Sequence, residues 1–109
     1  MDDINKKIKS IIDSNNIVLF MKGTPNAPQC GFSMAVTNIL KHLNVKFESV
    51  NVLDDNKIRQ GIKDYTDWPT IPQLYIKGEF VGGCDIVKEM FENGELKNLL
   101  GSKGINYKK

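Results

Sequence analysis

Ile17-Val18-Leu19-Phe20-Met21-Lys22, then Gly23-Thr24-Pro25-Asn26-Ala27-Pro28-Gln29, then Cys30-Gly31-Phe32-Ser33, is the stretch that decides the fold. Ile17 to Met21 is an unbroken apolar run rich in strand formers. A strand with one wet face would alternate, so this run predicts an inner strand covered on both sides. The turn-rich segment after it predicts a loop, and beyond the loop Phe32, Val36, Ile39, Leu40 and Leu43 share one helical stripe. Cys30 therefore stands at the mouth of a helix. Val45, Phe47, Val50 and Val52 predict a second strand, with a change of phase after Phe47 that leaves its facing open. Strand, helix and strand together read as a βαβ unit.

Toward the N-terminus, Ile4, Ile8, Ile11 and Ile12 recur at helical spacing, and Asp2 or Asp3 can cap that helix. Downstream, Asp54 or Asp55 can cap a helix through Ile58, Ile62 and Tyr65, which Trp68-Pro69 ends because a residue before proline leaves the helical region. Gln73 to Lys77 reads as a third strand. Gly78-Glu79 reads as a tight turn into Phe80-Val81, its antiparallel partner, and Gly82-Gly83 breaks that strand. Asp85 to Phe91 is a helix stopped by Gly94, and Glu95 to Leu100 gives a further turn or two. The expected architecture is α/β: a mixed four-stranded sheet with helices on both faces. A chain of 109 residues has room for one core, so residues 1–109 are taken as one domain, with 101–109 as a loose tail.

Composition narrows the function classes. The net charge of +2 is scattered rather than gathered into a basic block, which argues against nucleic acid as a partner. No apolar stretch approaches the roughly 20 residues that span a bilayer, which argues against a membrane. Met1-Asp2-Asp3 opens acidic and runs into an amphipathic pattern, unlike a secretory signal or a transit peptide. The expected location is cytoplasmic, or an organellar matrix if a targeting segment has been removed. Two cysteines are too few to staple a domain of this size, so the question is what a cysteine does here.

Cys30 is the candidate reactive residue. A thiol pKa falls below about 8.5 where positive potential surrounds the sulfur, and a helix N-terminus and a neighbouring Lys22 both supply it. Ser33 occupies the place where a C-x-x-C motif carries its second cysteine, so it cannot release a mixed disulfide. A lone thiolate suits holding a metal or accepting a small thiol. Pro72 in Thr70-Ile71-Pro72 is a candidate cis proline that would turn the Ile71 backbone outward to pair with an extended peptide. Gly82-Gly83-Cys84-Asp85 lets a ligand approach a helix start, and Asp85 is either that helix's N-cap or the partner of an ammonium. Lys22 and Arg59 would hold one carboxylate, the helix start at Cys84 and Asp85 the other, Asp85 the ammonium and Ile71 the peptide middle. Glutathione has this shape. Lys63 reads as a second carboxylate partner or a solvated residue, Trp68 as packing, and His42 as a surface residue.

Cys30-Gly31-Phe32-Ser33, preceded by Met21-Lys22-Gly23-Thr24-Pro25 and followed by Trp68-Pro69-Thr70-Ile71-Pro72-Gln73 and Val81-Gly82-Gly83-Cys84-Asp85-Ile86, resembles a monothiol glutaredoxin of the single-domain CGFS type. The resemblance implies a thioredoxin fold, a cis Pro72, and glutathione bound by Lys22, Arg59, Ile71, Cys84 and Asp85. It also implies that Cys30 ligates a [2Fe–2S] cluster in a homodimer that passes the cluster to apo iron-sulfur clients, often with a BolA-like partner, and that reductase activity is weak or absent. Such a cluster takes four thiolates, and two Cys30 with two glutathiones make four. Ser33 would then help the helix N-terminus. The competing expectation is a glutathione-dependent thiol-disulfide oxidoreductase that removes glutathione from proteins through Cys30.

Overall fold

Every residue of Ile17–Met21 is buried, and the side chains alternate between two cores: Ile17, Leu19 and Met21 on one face, Val18 and Phe20 on the other. That is why the run carries no polar position. A computed structural model describes residues 3–108, which form α1 (Asp3–Ser14), β1 (Ile17–Met21), β2 (Gly23–Thr24), β3 (Ala27–Pro28), α2 (Gly31–His42), β4 (Glu48–Asn51), α3 (Asn56–Thr66), β5 (Gln73–Ile76), β6 (Glu79–Gly82), α4 (Cys84–Asn93) and α5 (Glu95–Ser102).

The sheet order is β4-β1-β5-β6. β1 runs parallel to β4 in the register Val18 to Glu48 and antiparallel to β5 in the register Ile17 to Ile76, so the βαβ unit and the closing hairpin share β1. Helices α2, α4 and α5 cover the face carrying Leu19 and Leu74, and α1 and α3 cover the face carrying Phe20 and Tyr75. The phase change in the second strand is real. Val45 and Phe47 belong to the first core, Val50 and Val52 to the second, as strand alternation across an odd step requires.

Several boundaries differ from expectation. Asp2, one of two candidate caps of α1, lies outside the described residues, and Asp3 is instead within the first turn. The cap of α3 is as expected one of the two aspartates, Asp55, which accepts from the N–H groups of Lys57 and Ile58. Helix α3 stops at Thr66 because Asp67 turns left-handed at φ 56°, before Trp68-Pro69 is reached. The hairpin turn is Lys77-Gly78, with φ of 52° and 82°, one residue earlier than read. Two positive φ values give the turn whose twist matches the flanking strands. The segment expected as loose is held: Ile105 and Tyr107 pack on the first core and the Lys108 N–H donates to the Leu43 carbonyl at 2.7 Å. Apolar side chains spaced two apart in an otherwise polar tail are what dock it.

Candidate functional site

The segment between β1 and α2, expected as a plain loop, is a short antiparallel ribbon of β2 and β3. Gly23 makes it: at φ 91° a Cβ there would lie 2.6 Å from the Ala27 carbonyl and the Gln29 nitrogen, so only glycine permits so tight a return. The Gln29 N–H donates to the Lys22 carbonyl at 2.9 Å, and the Asn51 side chain accepts from the N–H groups of Gly23 and Leu53. The ribbon thus delivers the chain to Cys30 while keeping Lys22 fixed at the end of β1.

Cys30 is the N-cap of α2, extended at φ −150° and ψ 153°. Its sulfur accepts from the Ser33 N–H at 3.3 Å and lies 3.4 Å from the Ser33 hydroxyl. That hydroxyl is fully buried and also accepts the Lys22 N–H at 3.0 Å. Ser33 was expected to serve the helix terminus; instead Cys30 is the cap, and Ser33 bridges strand β1 to the sulfur. Burial pushes the Cys30 thiol up, but the Ser33 hydroxyl, the backbone N–H groups of Ser33 and Phe32, and the Lys22 charge together bring it below its ordinary value. Hydrogen bonds rank ahead of Lys22 here because they touch the sulfur directly, while the ammonium acts at a distance.

A groove of about 590 Å³ is lined by Lys22, Phe32, Lys63, Trp68, Pro69, Thr70, Ile71, Pro72, Gly83, Cys84, Asp85 and Ile86. Four of the expected binding residues, Lys22, Ile71, Cys84 and Asp85, therefore meet in one place. Cys30 is not a lining residue itself; it stands close enough for Lys22 to lower its pKa and for its own charge to raise that of Cys84. Arg59 does not line the groove, whereas Lys63, one turn later on the same face of α3, does. Both lysine and arginine fit the sequence pattern of that face, and Lys63, one turn nearer the groove residues Trp68 and Pro69, is the one that lines it.

The Ile71-Pro72 bond is cis. Neither the N–H nor the carbonyl of Ile71 is hydrogen-bonded within the described chain. Gly82, at φ 154°, brings the backbone so close to α4 that a Cβ would lie 2.8 Å from the Ile86 side chain. Gly83 is the N-cap of α4 and offers no side chain, so the first N–H groups of that helix are not capped by one. Asp85 is inside the first turn and not the cap, and it is exposed. Burial raises the Cys84 thiol above its ordinary value, with Asp85 adding to the rise, Lys88 opposing it and Cys30 adding again. Both cysteines are free thiols. Trp68 is half-buried, tilted against Phe80 with centroids 5.6 Å apart, and its indole nitrogen is buried without a hydrogen-bond partner. The packing role expected of Trp68 holds. The arrangement presents an activated thiol, two lysines, one carboxylate, an unpaired backbone edge and an uncapped helix start around one apolar-walled groove.

Comparison with known proteins agrees in sequence and in fold. The sequence profile of the family named Glutaredoxin matches residues 17–81. The chain is 54% identical over 101 residues to the probable monothiol glutaredoxin 2 of Rickettsia typhi, covering 92% of this chain and 91% of that protein. It is 51% identical over 98 residues to monothiol glutaredoxin-4 of Schizosaccharomyces pombe, covering 90% of this chain but only 40% of that longer relative. The solution structure of a monomeric truncated mutant of Trypanosoma brucei 1-C-Grx1 shares the fold with a TM-score of 0.90 at 42% identity, covering 100% of this chain and 99% of that one. A buckwheat glutaredoxin solved in complex with glutathione shares it with a TM-score of 0.83 at 24% identity, covering 94% and 92%. The expected thioredoxin-type fold is thus found, and with Ser33 standing where a second motif cysteine would be, the chain belongs to the glutaredoxin family as one of its monothiol members.

Proposed function

We propose that the chain binds glutathione in the groove beside Cys30 and uses the two thiolates to hold and hand on a [2Fe–2S] cluster. The observation that carries this reading is an activated, half-exposed thiol with no partner thiol in its motif, next to a groove whose charges complement a γ-glutamyl tripeptide. Lys22 and Lys63, backed by Arg59, would meet one carboxylate, the first N–H groups of α4 the other, and Asp85 the ammonium. The Ile71 backbone would pair with the peptide as an added strand does. Glutathione is also the ligand held by the buckwheat protein of the same fold.

The cluster is cargo, and its four thiolate ligands set the assembly. Among the described residues no group of three or more His, Cys, Asp and Glu is arranged to hold a metal. One Cys30 per chain therefore calls for two chains and two glutathiones, a homodimer that comes apart when a BolA-like partner or an apo client takes the cluster.

A second reading rests on the lowered Cys30 pKa itself, since an ionised sulfur beside a glutathione groove is also a nucleophile. The Cys30 thiolate would attack the glutathione sulfur of a protein mixed disulfide, forming a Cys30–glutathione disulfide and expelling the protein thiolate. A second glutathione thiolate would then break that bond, releasing glutathione disulfide and restoring Cys30.

Anaerobic reconstitution with iron and sulfide, followed by visible absorption and size measurement, separates the readings. Expected are colour and a dimer only when glutathione is present, loss of both in Cys30→Ser, and retention of both in Cys84→Ser. Colour without glutathione, or equal loss in Cys84→Ser, would overturn the ligand set. Rapid turnover of a glutathione mixed disulfide by the apo-protein, with no cluster formed, would establish the second reading.

A further inference from the structure

Gln73 is the first residue of β5 and its side chain is fully buried. It sits on the same face as Tyr75, beneath the end of α3, in a place where the neighbouring strand residues are apolar. A buried amide must account for two N–H donors and one carbonyl oxygen, and leaving any unmade costs about 1–3 kcal/mol. Gln73 leaves none. Its Nε2 donates to the carbonyl of Trp68 at 3.1 Å and of Thr70 at 3.2 Å. Its Oε1 accepts from the Tyr75 hydroxyl at 3.0 Å and lies 3.1 Å from the Thr66 hydroxyl.

Those two carbonyls belong to the groove wall. Trp68, Pro69 and Thr70 line the groove, and residues 67–72 have no regular structure to set their spacing. The Gln73 amide spans both ends of that wall from behind. The far end of the amide is fixed in turn: burial keeps the Tyr75 phenol protonated well above its ordinary range, so it remains a donor to Oε1. With the oxygen held by Tyr75, the nitrogen must face the wall. Only asparagine carries the same two donors and opposite acceptor, on a stem one methylene shorter.

We propose that Gln73 is a positioning residue for ligand binding: it never touches the ligand, but sets the Trp68–Thr70 wall and with it the backbone edge at Ile71. This rests on the groove being the glutathione site. The sulfur end is independent of it, because the groups that lower the Cys30 pKa come from Ser33, Phe32 and Lys22.

The test uses Gln73→Met, Gln73→Glu and Tyr75→Phe in the full chain, with glutathione titration, Trp68 fluorescence and the pH profile of Cys30 alkylation. Trp68 is the only tryptophan, so emission reports the wall directly. Both position-73 variants should bind glutathione about tenfold more weakly or worse, a loss of about 1.4 kcal/mol. Their Trp68 emission should shift and their Cys30 profile should not. Tyr75→Phe leaves the Thr66 hydroxyl 3.1 Å from Oε1 to keep the amide oriented, so both N–H bonds to the wall stay and most of the affinity should be retained. Wild-type affinity and unchanged emission in a folded Gln73→Met would overturn the proposal, as would a Cys30 profile that moves in step with affinity, the mark of general loosening. Should neither position-73 variant fold, exchange of the Gln73 side-chain amide protons in the wild-type protein decides: slow exchange is expected, and exchange at the solvent rate overturns it. Absence of glutathione binding by the wild type would defeat the groove reading alone, and the emission shift would still judge Gln73.

Discussion

The molecule opens two helices with a cysteine close by, and the two thiols go opposite ways. Cys30 precedes α2 as its N-cap; Cys84 is the first residue inside α4, behind the capping Gly83. Both are half-buried, and burial raises both. At Cys30 the sulfur occupies the place of a cap acceptor, so the Ser33 hydroxyl and N–H and the Phe32 N–H close on it and reverse the rise. One position further in, Cys84 has no such donors and has Asp85 beside it, which adds to the rise. In this molecule, then, the thiol at the cap is lowered and the one in the first turn is not.

The sharpest way to break this contrast is to alkylate the native protein briefly at about pH 6.5, well below the ~8.5 of a free thiol. Mass spectrometry should find Cys30 modified and Cys84 intact, and Cys30→Ser should remove nearly all labelling; Cys84 labelled first would end the comparison. Ser33→Ala comes next. It removes the strongest donor to the sulfur and strands the Lys22 N–H, so the alkylation midpoint of Cys30 should rise and urea unfolding should show a loss of about 1–3 kcal/mol.

Asp85→Asn should lower the Cys84 midpoint and leave that of Cys30 in place, read from the same pH series. Lys22→Met should raise the Cys30 midpoint less than Ser33→Ala does. The lysine increment should shrink at about 1 M salt, where the screening length is ~3 Å, and one that survives would mean contact rather than distance. The smallest effect is on stability. A lowered thiol adds stability above its unfolded pKa of about 8.5 that is lost as pH falls through the folded value, so the advantage of wild type over Cys30→Ala should grow with rising pH. Cys84 has the opposite sign: its contribution is present below the unfolded pKa and fades as pH rises through the folded one, so Cys84→Ala should compare best at high pH.

What could be read in advance followed from periodicity. Ile17 to Met21 named the central strand because two cores consume every position of it, and the stripe Val36, Ile39, Leu40 and Leu43 placed Cys30 at a helix mouth, although Phe32, read as part of that stripe, is exposed and lines the groove instead. The glycine at 83 and the proline at 72 marked backbone that lines the groove. Periodicity is silent on polar residues whose partners are remote in sequence. Ser33 looked like a helix-start residue, yet its hydroxyl serves Lys22 eleven positions back. Gln73 looked like an ordinary strand opener, because nothing local says that Trp68 and Thr70 will turn their carbonyls toward it. Arg59 and Lys63 lie one turn apart on α3, and periodicity alone does not say that only the turn nearer Trp68 lines the groove. The docked tail escaped notice for the same reason: Tyr107 finds its apolar partners only after the fold has formed.

The oxygen of Ser33 lies 3.4 Å from the sulfur of Cys30, and a disulfide needs about 2.05 Å. Exchanging that one oxygen for sulfur, as in Ser33→Cys, would put a prospective bonding partner within a small side-chain rotation. The scaffold is thus a single atom away from a motif that could close a disulfide within itself. What leaves the motif with one thiol is the element at a single concealed position, Ser33.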